Sequence, residues 1–347
     1  MKKVYIHIGT EKTGTTSIQN VLAKNRESLL KNDYCYPSSP GVKNHEFLAI
    51  YCAPESTRDL RSKHGLMSDV SLSQFFSMFS KNLKNEFISS GANNIIFSNE
   101  HLSSRVHTVD SVKNLKKYLE DVLGHVEFNV LLYLRRQDEM LVSSYSTMIK
   151  SGSTEKFSIN LPVKLHYDEI VNMWSSIFGR ENLLINVYDK NDWHNGSLIQ
   201  DFMDKTGIKE LNFSEDVNYN PSLDRYQLEF LRRLNINGGS VGLHLKRRII
   251  QLLEKTSTSD KLSLDNKQFE ELNKTYMTGN TSILKEYFPS TRNELFPANR
   301  RFRKDSVEIK ELTINKCIDI SLRIISTLFL ENNNLKQRLI KLKRNGQ

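Results

Sequence analysis

Short continuous apolar runs alternate along this chain with apolar stripes at helical spacing. The runs at 4–8, 94–98, 128–134 and 183–188 have the length of buried strands, and 35–37 reads as a short edge strand. Between them, 17–32 carries Ile18, Val21, Leu22 and Leu29 on one helical face. A second helix over 72–89 carries Phe75, Phe76, Phe79 and Leu83, a stripe assigned to the core rather than to a ligand. Further helices are expected over 109–123, 167–178, with Trp174 turned inward, and 198–206. Residues 41–70 are polar and irregular and are expected to lie over the site. From 225 onward the pattern is helical only, over 225–234, 243–253 and 269–279. Alternating strand and helix predicts a three-layer α/β domain around a mostly parallel sheet of about five strands, with a helical C-terminal part.

Composition narrows the class. The 347 residues are 38% hydrophobic, enough for a core at this size. The net charge is +9, which favours anionic ligands. Nucleic acid ranks low as the anion: there is no zinc-ligand spacing, no basic–aromatic alternation and no helix-turn-helix signature. Cys35, Cys52 and Cys317 are few, scattered and odd in number, which suits a reducing compartment rather than a disulfide framework. No run reaches the length of a membrane span, and the N-terminal run is too short for a signal peptide. The expected location is the cytoplasm.

The first strand is followed by Gly9, Thr10, Glu11, Lys12, Thr13, Gly14, Thr15, Thr16 and Ser17, and then by a helix. Strand, glycine-rich loop and helix N-terminus together make an anion cradle. Gly9 and Gly14 have the separation of a Walker A loop, but Thr15 stands where its lysine belongs and the cation has moved upstream to Lys12. This loop resembles the 5′-phosphosulfate loop of sulfotransferases that use 3′-phosphoadenosine-5′-phosphosulfate (PAPS), which carry a Lys-x-Gly-Thr-Thr core after the first strand. The resemblance implies a P-loop-kinase-like sheet, and implies that Lys12, Thr13, Gly14, Thr15, Thr16 and Ser17 hold the 5′ end of PAPS.

Two later segments extend the resemblance, which is clear to about residue 210. The strand over 128–134 ends in Arg135 and Arg136, and Ser144 follows Arg136 by eight positions, with Tyr145 after it. In the family such an arginine and serine hold the 3′-phosphate. Arg135 with Ser143 has the same spacing, so two registers stay open. A guanidinium fork suits a phosphate face in either. After the strand at 94–98 come Glu100 and His101, two candidate bases at the end where ligands of parallel sheets gather. Cytosolic family members use a His there and glycan-modifying members typically a Glu; Glu100 is preferred. The basic cluster 299–304 contains Arg301, which is either part of a late phosphate-closing loop or a solvated face.

The resemblance implies transfer of a sulfuryl group from PAPS to a hydroxyl or amine, without a metal. The expected acceptor is a saccharide of a bacterial cell-surface polysaccharide. The expected organisation is a domain over 1–305, with the PAPS motifs within 1–210 and a helical cover over 211–305, then a basic extension over 306–347. Residues 332–347 hold Lys336, Arg338, Lys341, Lys343 and Arg344 with no acid, which suits either contact with an anionic membrane face or a frayed basic end. Two other classes stay in view. An atypical P-loop kinase would need a lysine after Gly14, and a non-catalytic nucleotide-binding protein would not need Lys12, Glu100 and Arg136 together.

Overall fold

A computed structural model describes residues 2–209, 211, 222–237, 242–297 and 313–345. In chain order the elements are β1 (Lys2–His7), α1 (Thr15–Lys24), α2 (Arg26–Lys31), β2 (Tyr34–Cys35), α3 (Glu46–Cys52), α4 (Arg58–Lys63), α5 (Asp69–Ser90), β3 (Asn94–Ser98), α6 (His101–Ser104), α7 (Val109–Leu123), β4 (Val126–Leu134), α8 (Gln137–Ser151), α9 (Tyr167–Phe178), β5 (Leu183–Val187), α10 (Leu198–Thr206), α11 (Arg225–Asn237), α12 (Leu243–Lys255), α13 (Asn266–Tyr287) and α14 (Ile314–Asn345).

The five strands form one sheet in the order β2-β3-β1-β4-β5, and every pairing is parallel. The chain leaves β1 to one side for β2 and β3, then crosses over β1 to build β4 and β5 on the other. Such a switch opens a crevice above the carboxyl end of β1. The strands read as continuous apolar runs because both faces are covered. Val4, Ile6, Ile95, Phe97, Val130 and Leu132 join one core with Phe79, Leu83, Leu115, Leu119 and Trp174 from α5, α7 and α9. The intervening residues Tyr5, Ile96, Leu131 and Tyr133 join another with Ile18, Leu22, Ile199 and Phe202 from α1 and α10. Burial of each such side chain contributes about 1.5–3 kcal/mol. Side-chain caps start α5, α7 and α10: Ser68 accepts from the Ser71 N–H, Thr108 from Ser111 and Ser197 from Gln200. Each cap contributes about 1 kcal/mol.

The expected Phe stripe is core: Phe79 and Leu83 are buried, and Phe75 and Phe76 pack against Phe79. Three local expectations are corrected. The first helix begins at Thr15 and breaks at Asn25, whose amide donates to the Val21 carbonyl and competes with the helical ladder. The last strand ends at Val187 rather than 188. The stretch 41–70 is not irregular: α3 and α4 lie within it, and Leu48, Ala49, Ile50 and Cys52 are buried. Helices of seven and six residues have too few turns to show a period, and tertiary burial rather than propensity holds them.

The chain divides into two compact units, residues 1–136, 164–217 and 275–300 in one and 137–163, 218–274 and 301–347 in the other. The sheet and its helices belong to the first. In the second, Tyr145 and Ile149 of α8 pack with Leu228, Leu231, Leu253, Leu262 and Ile320. A buried ion pair sits in that unit. Glu229 accepts from Arg232 Nε and Nη2 at 2.7 and 2.8 Å, and Arg232 Nη1 donates to the Thr154 carbonyl at 3.0 Å. Burial opposes the charged Glu229 carboxylate, but the hydrogen bonds from Arg232 and Arg233 outweigh it and hold its pKa below the usual range.

Candidate functional site

The loop after β1 is built from unusual backbone. Gly9 and Gly14 take φ of +43° and +74°, and Lys12 takes +66°. A lysine in the left-handed region costs about 1–2 kcal/mol, and such strain concentrates at functional loops. At either glycine a side chain would force its neighbours to shift. A Cβ on Gly9 would meet Thr15 Oγ1 at 2.7 Å, and one on Gly14 would meet Leu198 Cδ2 at 2.3 Å. Gly14 also precedes α1 without a side-chain cap. The opening amides of α1 therefore face the crevice with the positive end of the helix dipole behind them.

The hydroxyls of the loop divide between structure and site. Thr13 Oγ1 donates to the Thr10 carbonyl at 2.6 Å, and Thr10 Oγ1 donates to the Tyr133 carbonyl at 2.8 Å, so these two lash the loop to itself and to β4. Thr15 Oγ1 is buried and has no partner, Thr16 is exposed and Ser17 half-buried. A buried hydroxyl without a partner at a helix start fits an anion oxygen. Lys12 is exposed, and its carbonyl accepts from Arg135 Nη1 at 2.9 Å. Arg135 lies over the Tyr188 ring, 5.4 Å from its centre, and its own carbonyl accepts from Tyr167. Arg135 thus ties the end of β4 to the loop.

At the end of β3, Glu100 is held by two amides. Its Oε2 accepts from Gln19 of α1 at 3.0 Å and its Oε1 from Asn44 at 3.2 Å, while Asn99 donates to Asn44. Amide donors satisfy a carboxylate without neutralising it. Gln19 also reaches the Ser98 carbonyl, and His45 accepts at the same residue: the Ser98 N–H donates to its Nδ1 at 3.2 Å. The proton of His45 therefore sits on Nε2, which donates to the Pro37 carbonyl at 2.9 Å. Beneath the loop His7 is fully buried, with Nδ1 on Ser98 Oγ at 2.9 Å and Nε2 without a partner. Burial pushes both imidazoles down to about 3, so both are neutral. His101 has a buried Nδ1 without a partner.

The structure thus gathers Lys12, the loop threonines, Arg135, Glu100 and His101 in one unit, over the carboxyl ends of β3, β1 and β4. Arg136 ends that unit, Ser143 and Ser144 lie on α8 in the other, and Arg301 lies outside the described residues. His7, Gln19, Asn44, His45 and Asn99 had not been singled out. Gln19 left a trace: it shares the buried face of α1 with Thr15, Ile18 and Leu22, where a polar residue needs a partner. Asn44 and His45 left none, standing in a polar stretch without a period.

A cavity of about 760 Å³ lies at the opposite end of the sheet, lined by Lys3, Tyr34, Asn94 and Thr206 among others. There α10 ends, and its carbonyls disfavour an anion. Among the described residues no helix is long and apolar enough to cross a membrane.

No family model matches the chain. An uncharacterized protein of Archaeoglobus fulgidus is 33% identical over 110 residues. That match covers 30% of this chain and 30% of the relative, so less than a third of the relative's length is spanned. The fold is also similar to the crystal structure of a sulfotransferase from Alicyclobacillus acidocaldarius. The TM-score is 0.38 and the identity 12%, over 67% of this chain and 92% of that one.

Proposed function

We propose that this chain moves a sulfuryl group from PAPS to a hydroxyl or amine of a saccharide acceptor in bacterial cell-surface polysaccharide synthesis. The observation that carries the reading is the join between loop and base: Gln19 of α1, the helix whose N-terminus makes the anion cradle, donates to the Glu100 carboxylate. Glu100 takes the acceptor proton as the acceptor oxygen attacks sulfur. The bond from sulfur to the bridging oxygen breaks, and adenosine 3′,5′-bisphosphate departs with the electron pair. Lys12 and the opening amides of α1 balance the charge that develops on that oxygen. Thr15 supplies its unpartnered hydroxyl to the 5′ end. Arg136 reads the 3′-phosphate, with Ser144 as the partner that the resemblance implies. Arg135 is assigned instead to holding the loop, because its fork already serves the Lys12 carbonyl.

The test is a thermal-shift comparison of adenosine 3′,5′-bisphosphate, AMP and ATP. Ligand that binds the native state raises the melting temperature by mass action. The bisphosphate should give much the largest shift; equal shifts for bisphosphate and AMP would sink the reading.

A further inference from the structure

Helix α14 carries two apolar faces. Cys317, Ile320 and Ile324 pack into the core of the second unit with Tyr145, Leu228 and Leu231. A separate stripe runs through Ile314, Ile318, Leu322, Ile325 and Phe329, each at least half exposed. Their spacing of four, four, three and four residues keeps them within roughly a quarter-turn of one another, over about 24 Å of helix. The charged residues of the same turns, Lys316, Asp319 and Arg323, fall on other parts of the helix surface. An uncharged stripe of this length is more than scattered surface leucines.

What covers the stripe is indicated by charge. From 332 to 347 the chain holds five basic residues, Lys336, Arg338, Lys341, Lys343 and Arg344, and no acid. The preceding part of α14 is balanced, with Lys316 and Arg323 against Asp319 and Glu331. A second copy packed in parallel would set one basic run against another. Packed antiparallel, it would set the basic run against a neutral one. Neither arrangement uses the charge. An anionic bilayer uses both features, since apolar side chains enter the boundary between headgroups and acyl chains while lysines and arginines meet phosphates.

We propose that α14 is a membrane-surface helix that docks this protein on an anionic lipid bilayer. The bilayer is not crossed. The helix lies in its plane, with the stripe buried and the basic run against the headgroups. This placement would hold the second unit at the membrane whatever the acceptor of the first, and it does not depend on the proposed sulfuryl transfer.

The experiment is co-sedimentation of the full chain with vesicles of phosphatidylcholine alone and of phosphatidylcholine mixed with phosphatidylglycerol, at low and high salt. Binding should be confined largely to the mixed vesicles and weaken with salt. Arg338→Gln with Lys341→Gln and Lys343→Gln should weaken partitioning by roughly a hundredfold, at about fivefold per charge. Ile325→Ser with Phe329→Ser should lower it roughly tenfold or more while leaving the melting temperature unchanged. Four results would overturn the proposal. They are absence of binding, equal binding to both vesicle types, a concentration-dependent dimer that the serine variant dissolves, and a large fall in the serine variant's melting temperature. The last would mean that the stripe is covered from within and offers lipid no face.

Discussion

Replacing Arg136 and Arg135 one at a time separates the nucleotide-reading arginine from the loop-holding one. Arg136→Ala should erase the preference for adenosine 3′,5′-bisphosphate over AMP, because the two ligands differ only in the phosphate that Arg136 is assigned to read. A charge-assisted guanidinium–phosphate fork contributes about 2–4 kcal/mol, so the preference should fall by roughly 30- to 700-fold. Arg135→Ala should act differently. It removes a 2.9 Å hydrogen bond to the Lys12 carbonyl and the stacking over Tyr188. At a partly exposed site the two together contribute about 1–2 kcal/mol. That loss loosens the loop under the end of the nucleotide that both ligands share, so both affinities should fall by similar factors. Titration calorimetry of both nucleotides on the parent and the two variants gives the four ratios needed. If Arg135→Ala erases the preference and Arg136→Ala does not, the register is shifted by one, to Arg135 and Ser143. If neither changes it, no 3′-phosphate site exists at this strand end and the assignment of PAPS fails.

Three further outcomes are expected. Lys12→Ala should cut turnover far more than bisphosphate affinity, since the charge matters most as the leaving oxygen develops its own; equal losses in both would make Lys12 a plain binding residue. Glu100→Gln should abolish sulfuryl transfer from labelled PAPS to a cell-derived glycan at nearly unchanged bisphosphate affinity, whereas His101→Asn should keep substantial activity; the reverse pattern would move the base to His101. Stability should fall on acidification because His7 and His45 are held neutral, from 6.5 down to about 3, while the unfolded chain protonates them near 6.5. Their contribution is whole above that value and declines as pH drops toward 3, by about 3 kcal/mol for the pair at pH 5.5, and urea unfolding at pH 7.5 and 5.5 measures it; a drop below about 1 kcal/mol would mean that the protonated rings find partners.

The sheet was legible because its strands are buried on both faces. Continuous apolar runs such as 128–134 are the signature of that burial, and the helices behind them repeat at a clear period, as Phe75, Phe79 and Leu83 do. Legibility failed where elements were short or broken. Helices α3 and α4 have fewer than two turns each, too few for a period, and the break at Asn25 depends on a side chain choosing its own backbone. The split into two units was equally hidden. The chain first passes between them at 136–137, in the tight junction of β4 with α8, where no linker segment marks the boundary.

The candidate site divides along the same physical line. Residues that would touch the ligand were visible because a ligand constrains local sequence: two glycines with positive φ, a lysine between them and hydroxyls at a helix start all lie within nine residues. Residues that hold those groups in place were not, because their constraints are spatial. Asn44 is 56 positions from Glu100, and nothing in its own neighbourhood requires an amide there. Gln19 lies between the two cases. Its place on the buried face of α1 marks it as needing a partner, but only the pairing of β1 with β3 says that the partner is a carboxylate at the end of the neighbouring strand. The placement of the Glu100 carboxylate is therefore not a property of Glu100 alone. Any change that shifts α1, whether at Gly14, Thr15 or Arg135, also moves one of the two donors on the carboxylate. In the proposed reaction, anion binding and proton abstraction would be linked mechanically through the Gln19 side chain.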